Sequence, residues 1–194
     1  VATHPDAVLT YRKSSMVLAL HSDASYLCEP KARSRAGGHF FMSNHNENPP
    51  NNGAVLNIAK IIKNVMTSAA DAEIGALFIN TRQAIPARHL LEGMGHKQPP
   101  TPVQTDNTTA LGFVNQNIQP KATKSTDMQH WYMRNQQDRK QFRYYWGEGR
   151  YNDGDYLTKH FCPAHHTKKR PRFLTDHKTL DALRISLGLK PTNF

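Results

Sequence analysis

The sequence predicts an α/β domain built on a five-stranded mixed sheet flanked by helices, and three observations lead there. Short apolar runs bounded by turn residues recur along the chain. The first three follow one another through connections rich in Gly, Pro and Asn, as in an antiparallel meander. After them, strand-like and helix-like segments alternate, which is the pattern of a sheet with helices packed on it. The 38% hydrophobic content of the 194 residues is enough to build a core, which argues against wholesale disorder.

Val17 to His21 form an apolar run that stops at Ser22-Asp23-Ala24-Ser25, so a buried strand is expected to end there. A basic stretch, Lys31 to Arg35, leads to a second strand over Gly37 to Met42. Residues 44–53 have the composition of a loop, and Ala54 to Ile62 supply the third strand. Ser68, with Asp71 three residues on and Glu73 close behind, marks a helix start whose acids suit the helix dipole. Ile74, Leu77, Phe78, Thr81 and Ile85 then line one face. Pro86 is expected to kink or end this helix, although Leu90, Leu91 and Met94 extend the face.

Gln98 to Pro102 read as a stiff connection, followed by a fourth short strand, Val103 to Thr105, that ends on Asp106. Asn107 to Asn117 suggest a short helix, and residues 125–141 a longer one with Met128, Trp131 and Tyr132 on one face. Trp131 and Tyr132 invite a base-stacking role, but their helical spacing with Met128 favours core packing. Phe142 to Trp146 form the fifth strand, broken by Gly147 and Gly149, and Asn152 to His160 read as a last short helix. Cys162 to Phe173 are basic and turn-rich, and Leu180 to Leu187 weakly amphipathic. The expected division is a linker over 1–15, a domain over 16–162 and a basic tail over 163–194.

A surplus of 25 Lys+Arg over 15 Asp+Glu, a formal charge of +10, favours a polyanionic partner that gains affinity through counterion release. No run approaches the length of a membrane-spanning helix, and the first residues lack a secretory pattern. The chain starts at Val1, as a piece excised from a longer protein would. Two cysteines, Cys28 and Cys162, cannot form a disulfide framework, so a reducing interior is expected. His160, Cys162, His165 and His166 match no closed four-ligand zinc module.

With acids in the minority, four of them stand out at structural junctions. Asp23 closes the first strand, Glu73 opens the first helix, Asp106 closes the fourth strand and Asp155 lies in the last helix. Each alone reads most simply as a surface charge or a cap. Together they can converge on one sheet edge, where like charges repel unless hard cations neutralise them. Two divalent ions about 4 Å apart would activate water and stabilise a leaving oxygen in phosphodiester hydrolysis.

HSDAS at 21–25, SRAGGHFF at 34–41, SAADAEIGAL at 68–77, TDNTTA at 105–110 and NDGDYLTKH at 152–160 appear in collinear order. They resemble the ribonuclease H domain of copia-type LTR retrotransposon polyproteins, over approximately residues 16–162. The resemblance implies a ribonuclease H-like fold and hydrolysis of the RNA strand of RNA/DNA hybrids during reverse transcription. It implies two Mg²⁺ ions, with Mn²⁺ able to substitute, held by Asp23, Glu73, Asp106 and Asp155. It further implies a partner in the reverse transcriptase domain of the same polyprotein, and a cytoplasmic setting within virus-like particles. Asp71 and Gly154 depart from the family's usual Glu and Ala, and neither is a ligand position. The loop from Gly147 to Asn152 lacks the histidine that cellular and retroviral ribonucleases H carry there.

Ser25 and Asn107, each close behind a ligand acid, are candidates to read a 2′-hydroxyl. Lys121 and Lys124 are candidates for phosphate contacts, against the plainer alternative of a solvated basic loop. Two other readings stand beside the enzyme. A DNA-cutting transposase or integrase is disfavoured by the fourth acid, and a catalytically weak or inactive connection module by the presence of all four.

Overall fold

The structure, a computed structural model, describes residues 7–45, 47–115, 124–186, 188 and 190. In chain order its strands are β1 (Ala7–Val8), β2 (Val17–Glu29), β3 (Arg33–Ser43), β4 (Ala54–Ile61), β5 (Thr101–Thr105), β6 (Phe142–Trp146) and β7 (Thr175–Asp176). Its helices are α1 (Ala69–Gly93), α2 (Thr108–Val114), α3 (Lys124–Asp138), α4 (Pro163–Lys169) and α5 (His177–Ser186). Five strands form one mixed sheet in the order β4-β3-β2-β5-β6. The β2–β3 and β3–β4 pairs are antiparallel, the expected meander, whereas β2–β5 and β5–β6 are parallel. A separate two-stranded pair, β1 with β7, joins segments that precede and follow the main sheet in the chain.

The core lies between the sheet and α1 to α3. Leu18, Leu20, Phe40, Val103 and Phe142 from the strands meet Ile74 and Leu77 of α1 and Met133 of α3. Each such side chain contributes about 1.5–3 kcal/mol of burial free energy, so this cluster anchors the elements that carry the acids. Ser68 caps α1 as expected, accepting from the Asp71 amide at 3.1 Å, while Asp71 Oδ2 accepts from the Thr67 amide at 2.9 Å.

Several expectations are corrected. The first strand does not end near Asp23: β2 runs on to Glu29, paired with β3 through Ser25↔Arg35 and, past an irregularity, Glu29↔Arg33. Helix α1 continues through Pro86 to Gly93. Its second half is clamped by buried Arg88, which donates to Pro99 O and Thr101 Oγ1, both at 2.7 Å, and to Gln98 O at 3.1 Å. These bonds and the burial of Leu91 offset what the proline removes. On α3 the buried face is His130, Met133 and Gln136, whereas Met128 and Trp131 are 73% and 67% exposed. The stretch expected as a last helix at 152–160 holds only the 3-10 turn Asp155–Leu157, and the expected turn-rich tail contains α4.

Candidate active site

Three acids arrive at one place from three elements. Asp23 comes from the middle of β2, Glu73 from the buried side of α1, and Asp106 from the residue after β5. One carboxylate oxygen of each lies within 4.8 Å of the others. The parallel β2–β5 pair sets the first and third side by side, with Leu20 opposite Val103 and His21 opposite Gln104. Glu73 is fixed across the gap by a 3.0 Å hydrogen bond from the Ala24 amide to its Oε1.

Asp155 stands beside this group of three. Its carboxylate accepts from Lys159 Nζ, an i,i+4 ion pair, and its charge acts on both Asp23 and Asp106. The segment that carries it is pinned across β2 and β3. Asn152 Nδ2 donates to Ser22 O at 2.7 Å, the Asp153 amide donates to His21 Nδ1 at 3.2 Å, and Thr158 Oγ1 donates to Asp23 Oδ2. Glycine makes this crossing possible. A Cβ on Gly37 would come within 2.5 Å of Gly154 O and Thr158 Cγ2, and one on Gly154 would sit 3.2 Å from the Asp23 amide.

Burial dominates the electrostatics. Asp23 is pushed up to about 7, first by desolvation and further by Asp155 and Asp106, with the Thr158 hydrogen bond and Lys159 pulling the other way. Glu73 is pushed up to about 9 by desolvation, then by the charges of Asp23 and Asp106. Asp106, half-buried, is raised for the same leading reason. Burial works against the Lys159 ammonium, but its bond to Asp155 and the fields of Asp23, Asp155 and Asp106 outweigh that and raise its pKa. Asp23 and Glu73 therefore resist full ionisation near neutral pH in the metal-free protein.

A bound cation reverses that resistance, and the donor set fits one. All the converging ligands are oxygen, which suits a hard divalent ion over zinc. Glu73 Oε2 is buried with no hydrogen-bond partner among the described residues, an expensive state that metal coordination would relieve.

The other expected site residues fall as follows. Ser25 lies within β2, two residues past Asp23 and half-buried. Asn107 caps α2, its Oδ1 accepting from the Ala110 amide at 2.9 Å. Lys121 lies outside the described residues, and Lys124 is the first residue of α3, its side chain likewise outside them. Asn152, Thr158 and Lys159 join the site without being acids, and all three stand in NDGDYLTKH. Trp146 is a further neighbour of the site: its Nε1 donates to Asp106 O at 3.1 Å. The loop that lacks a histidine brings backbone instead, since a Cβ on Gly149 would meet Asp106 Oδ2 at 2.6 Å.

No family model matches the chain, and no curated protein matches it. Solved structures do. LC11-RNase H1, isolated from compost by a metagenomic approach, is similar over 74% of this chain and 93% of its own, with a TM-score of 0.56 and 12% identity. The same protein in complex with an RNA/DNA hybrid matches over 73% of this chain and 93% of its own, with a TM-score of 0.52 and 11% identity. The N-terminal RNase H domain of Rv2228c from Mycobacterium tuberculosis, solved as a fusion with maltose-binding protein, covers 74% of this chain and 91% of its own at 0.50 and 12%. The chain has the ribonuclease H-like fold, with an acidic triad at Asp23, Glu73 and Asp106.

Proposed function

We propose that this protein is a ribonuclease H that cuts the RNA strand of RNA/DNA hybrids and leaves 5′-phosphate and 3′-hydroxyl ends. The observation that carries this reading is the convergence of Asp23, Glu73 and Asp106 from β2, α1 and β5 of a ribonuclease H-like frame. Two Mg²⁺ ions, replaceable by Mn²⁺, would supply a nucleophilic water and charge stabilisation at the leaving oxygen. Asp23 and Asp106 would hold these ions, with Glu73 and Asp155 completing the two positions. Thr158 fixes the Asp23 carboxylate by donating to its Oδ2, so that its remaining lone pairs stay directed at the cluster. Glu73, held by the Ala24 amide, has Oε2 left for metal and for the substrate 2′-hydroxyl, the group that marks RNA. Lys159, drawn to Asp155, takes on the task of a positive partner that the histidine-free loop leaves open.

Substrate grip follows from charge. The formal +10 attracts the phosphates, and Ser25, Asn107, Lys121 and Lys124 are the proposed contacts. The copia-like motifs favour a reading in which the domain belongs to a retrotransposon polyprotein, beside a reverse transcriptase domain and within cytoplasmic virus-like particles. Among the described residues no helix is long and apolar enough to cross a membrane.

The test is a cleavage assay on labelled RNA/DNA hybrid, double-stranded RNA and double-stranded DNA, with Mg²⁺ or a chelator. Cutting confined to the hybrid with Mg²⁺, and abolished by Asp23→Asn with hybrid binding retained, supports the reading. Unchanged Mg²⁺-dependent cleavage by Asp23→Asn would sink it. Hybrid binding without any cleavage by the unaltered chain would make it a binding-only connection module.

A further inference from the structure

Beside the carboxylates lies a concavity that the proposed chemistry leaves unused. A cavity of about 510 Å³ is walled by His21, Gln104, Tyr145, Trp146, Glu148 and Tyr151, with the 48–51 segment closing one side. That size falls within the roughly 300–1,000 Å³ of small-ligand sites. His21 precedes Asp23 by two residues on β2, and Gln104 precedes Asp106 by two at the end of β5. Alternation along β2 puts His21 and Asp23 on one sheet face, about 7 Å apart, and the cavity-lining Trp146 bonds to Asp106 O, so the cavity opens next to the triad.

Its lining has a mixed chemistry. Trp146 and Tyr151 are 49% and 55% exposed, large aromatic faces turned to water at the end of a sheet that has a core elsewhere to fill. Trp146 is held in place by its Nε1 bond to Asp106 O, and the Arg150 guanidinium sits 4.8 Å over the Tyr151 ring. Gln104 forms the floor at 5% exposure, and its Nε2 has no hydrogen-bond partner among the described residues. The lack of a side chain on Gly147 is what lets that amide lie where it does, since a Cβ there would meet Gln104 Nε2 at 2.6 Å. The far wall is stiffened by a buried polar network. Asn51 donates to Asp153 and its Oδ1 lies 3.0 Å from His39 Nε2, while the Asp153 amide donates to His21. Glu148, paired with Arg150, places a carboxylate acceptor at the rim.

Aromatic faces for stacking beside fixed amide and carboxylate groups for an edge are the chemistry of an unstacked nucleobase. A base inside a duplex presents neither face nor Watson–Crick edge to such a cavity. We propose that this cavity takes one unpaired nucleobase of the substrate strand, so that cutting is favoured where hybrid gives way to single strand. The inference rests on the ribonuclease H reading above and names the part of its substrate that the site selects.

The experiment uses the full chain carrying Asp23→Asn, with Mg²⁺ present, and fluorescence anisotropy on two labelled substrates: a blunt hybrid, and the same hybrid with a single-stranded RNA extension. A stacked base is worth roughly 5- to 150-fold in affinity, so the extended substrate binds tighter by a factor in that range. Adding Tyr151→Ala removes most of that ratio, and reading the ratio cancels any general loss of binding. Equal affinity for the two substrates, or a ratio that survives Tyr151→Ala, overturns the proposal. Failure to bind either substrate counts against the ribonuclease H reading, and a second measurement then decides the cavity. In a Trp131→Phe background Trp146 is the sole tryptophan of the original two. Saturable quenching of it by adenosine monophosphate, lost in Tyr151→Ala, supports the cavity, and no quenching overturns it.

Discussion

Replacing Glu73 by glutamine should make the metal-free protein more stable at alkaline pH. The carboxyl is 7% exposed, its Oε1 is satisfied by the Ala24 amide, and glutamine keeps that acceptor while removing the charge. Burial and the neighbouring acids raise the folded-state pKa from 4.5 to about 9. An acid raised in this way contributes stability that is fully present below pH 4.5 and is lost as pH rises to about 9. Each pH unit in that window costs the fold up to ~1.36 kcal/mol, a ceiling of ~6 kcal/mol. Relaxation of the fold and water penetration around the ionised carboxylate offset part of that ceiling, so about 3 kcal/mol is the expected loss. For a chain of this size that corresponds to a melting temperature ~6–12 °C lower at pH 9 than at pH 5. Asp23, pushed up to about 7, adds to the fall with the same sign. Thermal melting followed by circular dichroism in a chelator is the assay. Glu73→Gln flattens the fall, matching the unaltered chain at pH 5 and exceeding it at pH 9, and Mg²⁺ restores the unaltered chain far more than the variant. A melting temperature indifferent to pH, or lowered equally by Glu73→Gln at both values, would refute the electrostatic account.

Two further outcomes follow from the crossing over β3 and from the ion pair beside the triad. Gly37→Ala forces a Cβ to within 2.5 Å of Gly154 O and Thr158 Cγ2, so it should cost about 1–3 kcal/mol in melting experiments and lower cleavage more than hybrid binding. Lys159→Met removes the ammonium that neutralises Asp155, so the protein should take up Mg²⁺ several-fold more tightly by calorimetry while hybrid cleavage falls at least tenfold. Unchanged Mg²⁺ affinity would show that the lysine does not feel the cluster.

Much of this arrangement was readable from pattern alone. The meander from Val17 to Ile61 followed from apolar runs between turn residues, and Ser68, Asp71 and Glu73 announced α1 because capping chemistry is local. What escaped was set by distant partners. Nothing near Pro86 reveals that Arg88 will be clamped by Gln98, Pro99 and Thr101, which keeps α1 going. The face of α3 departs from its apolar pattern because it buries His130 and Gln136 with Met133, while the apolar Met128 and Trp131 face water. At the site, acids are conspicuous in a basic chain, but the groups that restrain them are not. Thr158 and Lys159 become meaningful only once the 152–159 segment is laid over Gly37.

The short β1–β7 pair ties residues that precede the main sheet in the chain to residues that follow it. Ala7 opposite Asp176 and Val8 opposite Thr175 bring the incoming and outgoing chain to the same spot. Pulling Ala7 and Asp176 apart would open that two-rung ladder like a zipper, one rung after the other, because both residues sit at the same end of it. The β2–β5 seam that sets Asp23 beside Asp106 would feel no load until the ladder had parted.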